Sequence, residues 1–409
     1  MSSTPIEARP DDVDGGTGVW HFDGFVLDTQ RFELRSEDGV IHIEPQVLEV
    51  LSQLVRHRDR MVTKDELFAS VWGGQFVGES ALTSRIKAAR RALGDDGDAQ
   101  RYIRTIRGRG YQFVGTVAGS TPVPTQDPPV PRQNIAFCRA SDGVRLAYAV
   151  SGEGPPLVRA ATWMTHLGYD IDSPVWRHWV RDLSSGHTLI RYDERGCGLS
   201  DWETDKFTFD AWVDDLESVV DMLDLDRFPL LGVSQGAAVA VAYAARHPER
   251  VSRLVLCGAY ARGRGVRAVG DADKRAAALD LELARVGWGR DDPVFTQVFA
   301  AQFLPDGTRA DWSEFDRLQR RTTSPENAVR FLTEFAGIDV RDEAQMVQCP
   351  TLVMHSRDDR RVPLRYGEEI AALIPNSRLV PLESNNHLLT AAEPGWPVFC
   401  QELNSFLTD

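Results

Sequence analysis

The sequence predicts two folded domains of different class joined by a stiff spacer. A small α+β unit comes first, then a larger α/β unit built on a mostly parallel sheet. Three observations carry this. Pro122, Pro124, Pro128, Pro129 and Pro131 crowd into AGSTPVPTQDPPVPRQN, residues 118–134. With φ fixed and donors missing, that stretch continues neither a helix nor a central strand. Before it, short alternating strands accompany three amphipathic helices. After it, short apolar strands recur between helical stretches. The expected bounds are a disordered polar N-terminus over 1–18, the small unit over 19–117, the linker over 118–134 and the large unit over 135–409.

Composition narrows the class. With 42% hydrophobic and 26% charged residues, the chain reads as an ordinary soluble protein with ample material for a core. A formal charge of −14 argues against nonspecific nucleic-acid binding by the whole chain. The charge is nonetheless polarised within residues 79–115. Arg85, Lys87, Arg90, Arg91, Arg101, Arg104, Arg107 and Arg109 stand there against Glu79, Asp95, Asp96 and Asp98. The five cysteines are scattered without a CxxC pair, so neither a disulfide framework nor a zinc site is expected. No HExxH or clustered His/Cys spacing suggests a metal, and no cofactor is expected. No run approaches a membrane span, and a cytoplasmic location is expected.

In the first unit, VWHF, FVLD, RFELR and VIHI alternate between turns and read as a small antiparallel sheet. PQVLEVLSQLVRHR follows, with Pro45 suited to a helix start and Val47, Leu48, Leu51, Leu54 and Val55 on one face. In TKDELFASVW, Thr63 and Glu66 have capping-box spacing, while Leu67, Phe68, Val71 and Trp72 are apolar. A third helix over about 79–93 buries Leu82, Ile86, Ala89 and Leu93. It turns Ser80, Thr83, Ser84, Lys87 and Arg91 outward, with Arg85 and Arg90 flanking. YIRTIRGRGYQFVG closes the unit as two strands joined through Gly108 and Gly110.

The stretches VLEVLSQLV, DELFASVW, ALTSRIKAARRALGDD and YIRTIRGRGYQF together resemble the winged helix-turn-helix domain of OmpR/PhoB-type regulators and their CadC-like relatives. The resemblance implies that the third helix enters the major groove of double-stranded DNA while the wing reaches phosphate or the minor groove. The candidate contacts are Thr83, Ser84, Arg85, Lys87, Arg90, Arg91, Arg107 and Arg109. Small polar residues permit close approach, and cationic ones answer phosphate. A homodimer on paired half-sites is expected. Neither a phosphoacceptor receiver domain nor a membrane segment is expected ahead of this unit, so the signal must enter through residues 135–409.

In the second unit, PPLVRAAT, TLIRYDERG, FPLLGVS, RLVLCGAY and PTLVMHS read as strands separated by helices. IAFCRASDGVRLAYAV opens it as an antiparallel pair. A helix-rich insertion over about 261–345 reads as a cap. RYDERGCGLSD, GVSQG, HPERVSRLVL, SRDDRRVP and NNH, in this order, resemble the serine esterase and haloperoxidase-like branch of the α/β-hydrolase fold, which is doubly wound. The GVSQG motif, between a strand and a small-residue helix, is how such a fold displays a nucleophile.

The resemblance makes Ser234 the candidate nucleophile and His387 its base. The family places the acid three residues before Val-Pro, which is Asp359; its neighbour Asp358 stays open as an alternative. The oxyanion hole would use the backbone N–H of Gln235. Relatives carry His-Gly in the loop after PPLVRAAT, but here the pair is Ala161-Thr162, and Trp163 is taken as the second donor. His166 and His178 are expected in the cap or on the surface. GRGVRA, residues 263–268, matches a loose GxGxxA but lacks the βαβ context of a dinucleotide site. The function expected is a one-component transcription regulator that senses, and can hydrolyse, a small ester, lactone or related carbonyl compound. The alternative is an esterase or lactonase whose winged helix serves localisation or oligomerisation.

Overall fold

A computed structural model describes residues 19–29, 31–36, 39–58, 60–72, 78–106, 108–115, 117–118, 131–290 and 293–408. The tail expected over 1–18, and most of the expected linker, lie outside them. The chain divides into two compact units, Met1–Pro128 and Pro129–Asp409. Strand pairing trims the expected linker at both ends. Ala118 pairs with His21, while Gln133 and Asn134 pair with Ser151 and Val150.

In the first unit, strands Val19–Phe22, Phe25–Asp28, Glu33–Ser36 and Gly39–Ile41 form an antiparallel meander, and Val117–Ala118 closes its edge. Three helices follow: Pro45–Arg56, Lys64–Trp72 and Glu79–Ala92. The second opens on a reciprocal cap. Thr63 N donates to Glu66 Oε2 at 2.7 Å, and Glu66 N donates to Thr63 Oγ1 at 3.2 Å. Val47, Leu48, Leu51, Leu54 and Val55 are buried against Leu82, Ile86, Ala89 and Leu93, so the apolar stripes of the first and third helices meet in one core. The hairpin Ile103–Ile106 and Gly110–Phe113 pairs with Val62–Thr63 in a second, three-stranded sheet.

A buried carboxylate ties the third helix to that hairpin. Asp95 Oδ1 accepts from Asp96 N and Arg101 N, both at 2.8 Å; Oδ2 accepts from Tyr102 N at 2.9 Å and Ile103 N at 3.2 Å. Burial pushes its pKa up, but the four backbone donors outweigh this and hold it below the ordinary carboxylate value.

The second unit is built on an eight-stranded sheet. Its order is Ser377–Leu382, Thr351–Ser356, Val251–Cys257, Phe228–Val233, Pro156–Arg159, Thr188–Tyr192, Arg145–Ser151 and Gln133–Arg139. Arg145–Ser151 runs antiparallel to both its neighbours; the remaining pairs are parallel. Thr351–Ser356 is buried along its whole length, as expected where helices cover both faces. This is the doubly wound α/β architecture that the strand–helix alternation predicts. Between Val251–Cys257 and Thr351–Ser356 the chain inserts four long helices: Asp271–Gly287, Pro293–Phe303, Arg309–Thr322 and Pro325–Gly337.

Asp95→Ala strands several buried donors at once. It should lower the stability of the first unit by about 2–3 kcal/mol, read as a lowered urea midpoint. A midpoint equal to wild type would contradict this role.

Candidate functional site

Ser234 occupies the turn between strand Phe228–Val233 and helix Gln235–Arg246 with φ 53° and ψ −121°, a conformation L-residues rarely adopt. Two backbone bonds hold it: Ser234 N donates to Cys257 O at 2.8 Å, and Ala237 N donates to Ser234 O at 3.1 Å. The turn needs Gly236 because a Cβ there would lie 2.4 Å from Ala161 O. The turn is thereby pressed against the loop that follows strand Pro156–Arg159.

The structure brings Ser234, His387 and Asp359 together. Ser234 Oγ donates to His387 Nε2 at 2.8 Å, and His387 Nδ1 donates to Asp359 Oδ2 at 2.6 Å. Asp359 Oδ1 accepts from Arg361 N and Val362 N, both at 2.8 Å, so the carboxylate cannot swing away. Burial raises the Asp359 pKa, but His387 beside it and these bonds bring it below the ordinary value. The carboxylate is therefore charged at neutral pH and suited to stabilise an imidazolium. Asp358, the alternative, is exposed on the same turn. Sequence reasoning missed His355, whose Nε2 lies 3.6 Å from Asp359 Oδ2 and bonds Val362 O at 2.7 Å. Burial pushes its pKa down, so it packs beside the carboxylate as a neutral ring.

A cavity connected to solvent ends at Ser234 and Gln235. Leu281, Phe303, Leu332 and Phe335 from the inserted helices line it, together with Trp163. The Trp163 indole stacks on Trp288 at 5.5 Å between ring centres and meets Phe335 edge-on at 5.3 Å. It thus ties the loop beside Ser234 to the insertion. Gln235 is the first residue of its helix, so its backbone N–H has no intrahelical acceptor. Its side chain donates to Glu194 Oε1 at 2.8 Å. Glu194 Oε2 is buried without a partner among the described residues, and burial pushes the carboxyl up to about 8.

GRGVRA has a structural reason for its glycines. A Cβ on Gly263 would lie 2.0 Å from Phe335 O, so the pattern serves close packing on helix Pro325–Gly337 and not a phosphate cradle. His178, expected in the cap or on the surface, lies instead on helix Arg177–Leu183. It is buried, with Nε2 bonded to Leu389 O at 2.9 Å and its ring 4.5 Å from that of Trp396. His166 is half-buried at the start of the short helix Leu167–Asp170.

On helix Glu79–Ala92, Thr83, Ser84, Lys87 and Arg91 are exposed together with Ser80. Arg109 is exposed near the hairpin tip; Arg107 lies outside the described residues. Two arginines of the expected DNA-contact set are engaged within the domain. Arg90 Nη2 donates to Ile103 O at 2.7 Å and Thr105 Oγ1 at 2.8 Å, bracing the hairpin. Arg85 bonds Gln46 Oε1 at 3.1 Å and pairs with Glu44 at 3.0 Å. Among the described residues, no cluster of His, Cys, Asp or Glu is arranged to hold a metal ion, and no helix is long and apolar enough to cross a membrane.

Residues 166–391 match the family model described as alpha/beta hydrolase fold. Residues 38–113 match that described as transcriptional regulatory protein, C terminal. The chain is similar to AB hydrolase superfamily protein YisY of Bacillus subtilis (strain 168), with 26% identity over 61% of this chain and 91% of that protein. It is 30% identical to a 2-hydroxy-6-oxo-2,4-heptadienoate hydrolase of Pseudomonas putida, over 50% of this chain and 73% of that one. Among solved structures, the esterase RhEst1 of Rhodococcus sp. ECU1013 superposes with a TM-score of 0.54 at 26% identity. That match covers 67% of this chain and 98% of the esterase.

Glu194 provides a pH test. Its carboxyl stays protonated in the fold up to about 8, whereas the exposed group ionises near 4.5. Between those values the unfolded chain binds fewer protons than the native one, so this group's contribution to stability is lost as pH rises. Glu194→Gln keeps the shape and removes the titration. The fall in Tm from about pH 5 to pH 8 should be shallower in the variant; superimposable profiles would contradict the assignment.

Proposed function

This chain belongs to the alpha/beta hydrolase fold family, and from that premise we propose that it is a one-component transcription regulator. Its hydrolase unit takes a small ester, lactone or related carbonyl ligand, and its N-terminal unit reads double-stranded DNA. The observation that carries the reading is the pairing, in one chain, of a roofed cavity ending at Ser234 with a domain matching the transcriptional regulatory C-terminal family. Thr83, Ser84, Lys87 and Arg91 are the residues assigned to the DNA face, with Arg109 at the wing. Ligand in the cavity alters DNA binding through differential affinity for two arrangements of a homodimer. The working compartment is the cytoplasm, where the DNA is.

The relay also supports turnover. Ser234 Oγ attacks the ligand carbonyl while His387 Nε2 accepts its proton, and Asp359 stabilises the imidazolium. The N–H groups of Gln235 and Trp163 are assigned to the developing oxyanion. The ester C–O bond breaks as His387 passes the proton to the leaving alcohol oxygen. A water that gives its proton to His387 then attacks the acyl-Ser234 carbonyl, and the acid leaves as the proton returns to Ser234 Oγ. Hydrolysis would end the signal. A second reading, an esterase or lactonase first and a DNA-tethered protein second, is favoured by the intact Ser234–His387–Asp359 geometry.

Ser234→Ala should abolish turnover of p-nitrophenyl acetate, while ligand still changes the variant's DNA affinity. Unchanged turnover would remove Ser234 as nucleophile, and loss of the DNA response would favour the second reading. Lys87→Ala or Arg91→Ala should each weaken binding to duplex DNA in fluorescence anisotropy. Each should reduce the slope of log K against log salt by about 0.9 for every phosphate left without its cation. Normal binding by both variants would overturn the placement of the DNA face.

A further inference from the structure

The cavity wall carries more positive charge than its own partners neutralise. Arg264, Arg267 and Arg361 line it together with, among the described residues, a single carboxylate, Asp280. Asp280 Oδ2 is taken by Arg361 Nη1 at 2.7 Å and by Arg264 Nη1. Arg361 Nη1 also donates to Gln302 Oε1 at 2.7 Å, and its guanidinium lies over the Phe303 ring at 4.9 Å. Among the described residues, one carboxylate against three guanidiniums leaves two positive charges in excess.

Arg267 is the member without an ionic partner among the described residues. Its guanidinium lies 4.2 Å from the Tyr366 ring centre and 5.6 Å from that of Tyr260, a geometry that fixes the fork without neutralising it. Its Nη1 is buried and makes no hydrogen bond among the described residues. A buried guanidinium nitrogen without an acceptor is costly, and a bound anion would remove that cost. The planar fork matches a carboxylate, which can accept two parallel N–H bonds. The same cavity ends at Ser234, so an anion seated on this wall belongs to the molecule whose carbonyl faces the serine.

We propose that the ligand is a carboxylate-bearing ester or lactone, its carboxylate held by Arg267 with Arg264 and Arg361 beside it and its reactive carbonyl at Ser234. This rests on the small-ligand reading above.

The test compares two esters of matched length, mono-p-nitrophenyl glutarate and p-nitrophenyl valerate, which differ by a terminal carboxylate against a methyl group. The full chain should favour the glutarate ester in kcat/KM by about tenfold or more. Arg267→Met should reduce that ratio by about tenfold, and Arg267→Lys should restore part of it. A wild-type ratio near one, or a ratio unmoved by Arg267→Met, overturns the inference and leaves the ligand reading standing. If neither ester is turned over, tryptophan-fluorescence titration with monomethyl glutarate and methyl valerate makes the same comparison. Tighter binding of the glutarate that is lost in Arg267→Met supports the inference, and equal binding overturns it alone. Saturable binding of neither overturns it together with the ligand reading.

Discussion

The site depends on one strained residue. Ser234 sits at φ 53° where the strand Phe228–Val233 gives way to a helix, and such a conformation costs on the order of 1–3 kcal/mol. It persists because the surroundings over-determine it. The preceding strand is central in a sheet covered on both faces, and Gly236 lets the new helix press against Ala161 O. That placement lifts Oγ to within 2.8 Å of a histidine 153 residues further along the chain. His387 can only be there because Asp359 holds its other nitrogen, and Asp359 only because two backbone donors hold its carboxylate. A chain of short-range constraints thus converts a buried sheet into a presented hydroxyl.

The charged residues divide by the same logic into those that hold and those that remain available. In the first unit, Asp95 and Arg90 brace the third helix against the hairpin. Thr83, Ser84, Lys87 and Arg91 stay exposed on the helix they steady. In the second unit, Arg195 is consumed by Asp142 and Asp215, and Arg191 by Asp170. Arg267, on the cavity wall, lies against the rings of Tyr366 and Tyr260 and has a buried nitrogen with no acceptor among the described residues. A rigid frame with a few unneutralised cations suits recognition, since little ordering is left to the moment of binding.

Much of the fold was legible because its signals are local and periodic. The stripe Leu82, Ile86, Ala89 and Leu93 obeys helical spacing, and the Thr63–Glu66 cap obeys a fixed interval. Ser234, Asp359 and His387 were legible as candidates because GVSQG, SRDDRRVP and NNH occur in the order that the resemblance to the α/β-hydrolase family implies. The rest depends on three-dimensional partners that spacing does not encode. Arg90 looks like any exposed helix arginine until Ile103 O is seen beside it. Arg264 and Arg267 sit inside GRGVRA, which lacks the context of a dinucleotide site and whose Gly263 and Gly265 serve close packing on the backbone of Phe335 and Ala336. Trp163 was picked out for its place in a loop, yet its indole also anchors the insertion. Nothing in RYDERG singles out Glu194, and only its burial against Gln235 in the fold reveals it.

The central claim is that the cavity and the DNA-reading unit are thermodynamically coupled. The most direct measurement is the affinity of the full chain for a duplex that it selects from a random pool, with and without a saturating concentration of the compound released when the purified protein is denatured. Coupling predicts an affinity change of about 5-fold or more, matched by an equal change in ligand affinity when DNA is present. Superimposable binding curves in both directions would contradict it.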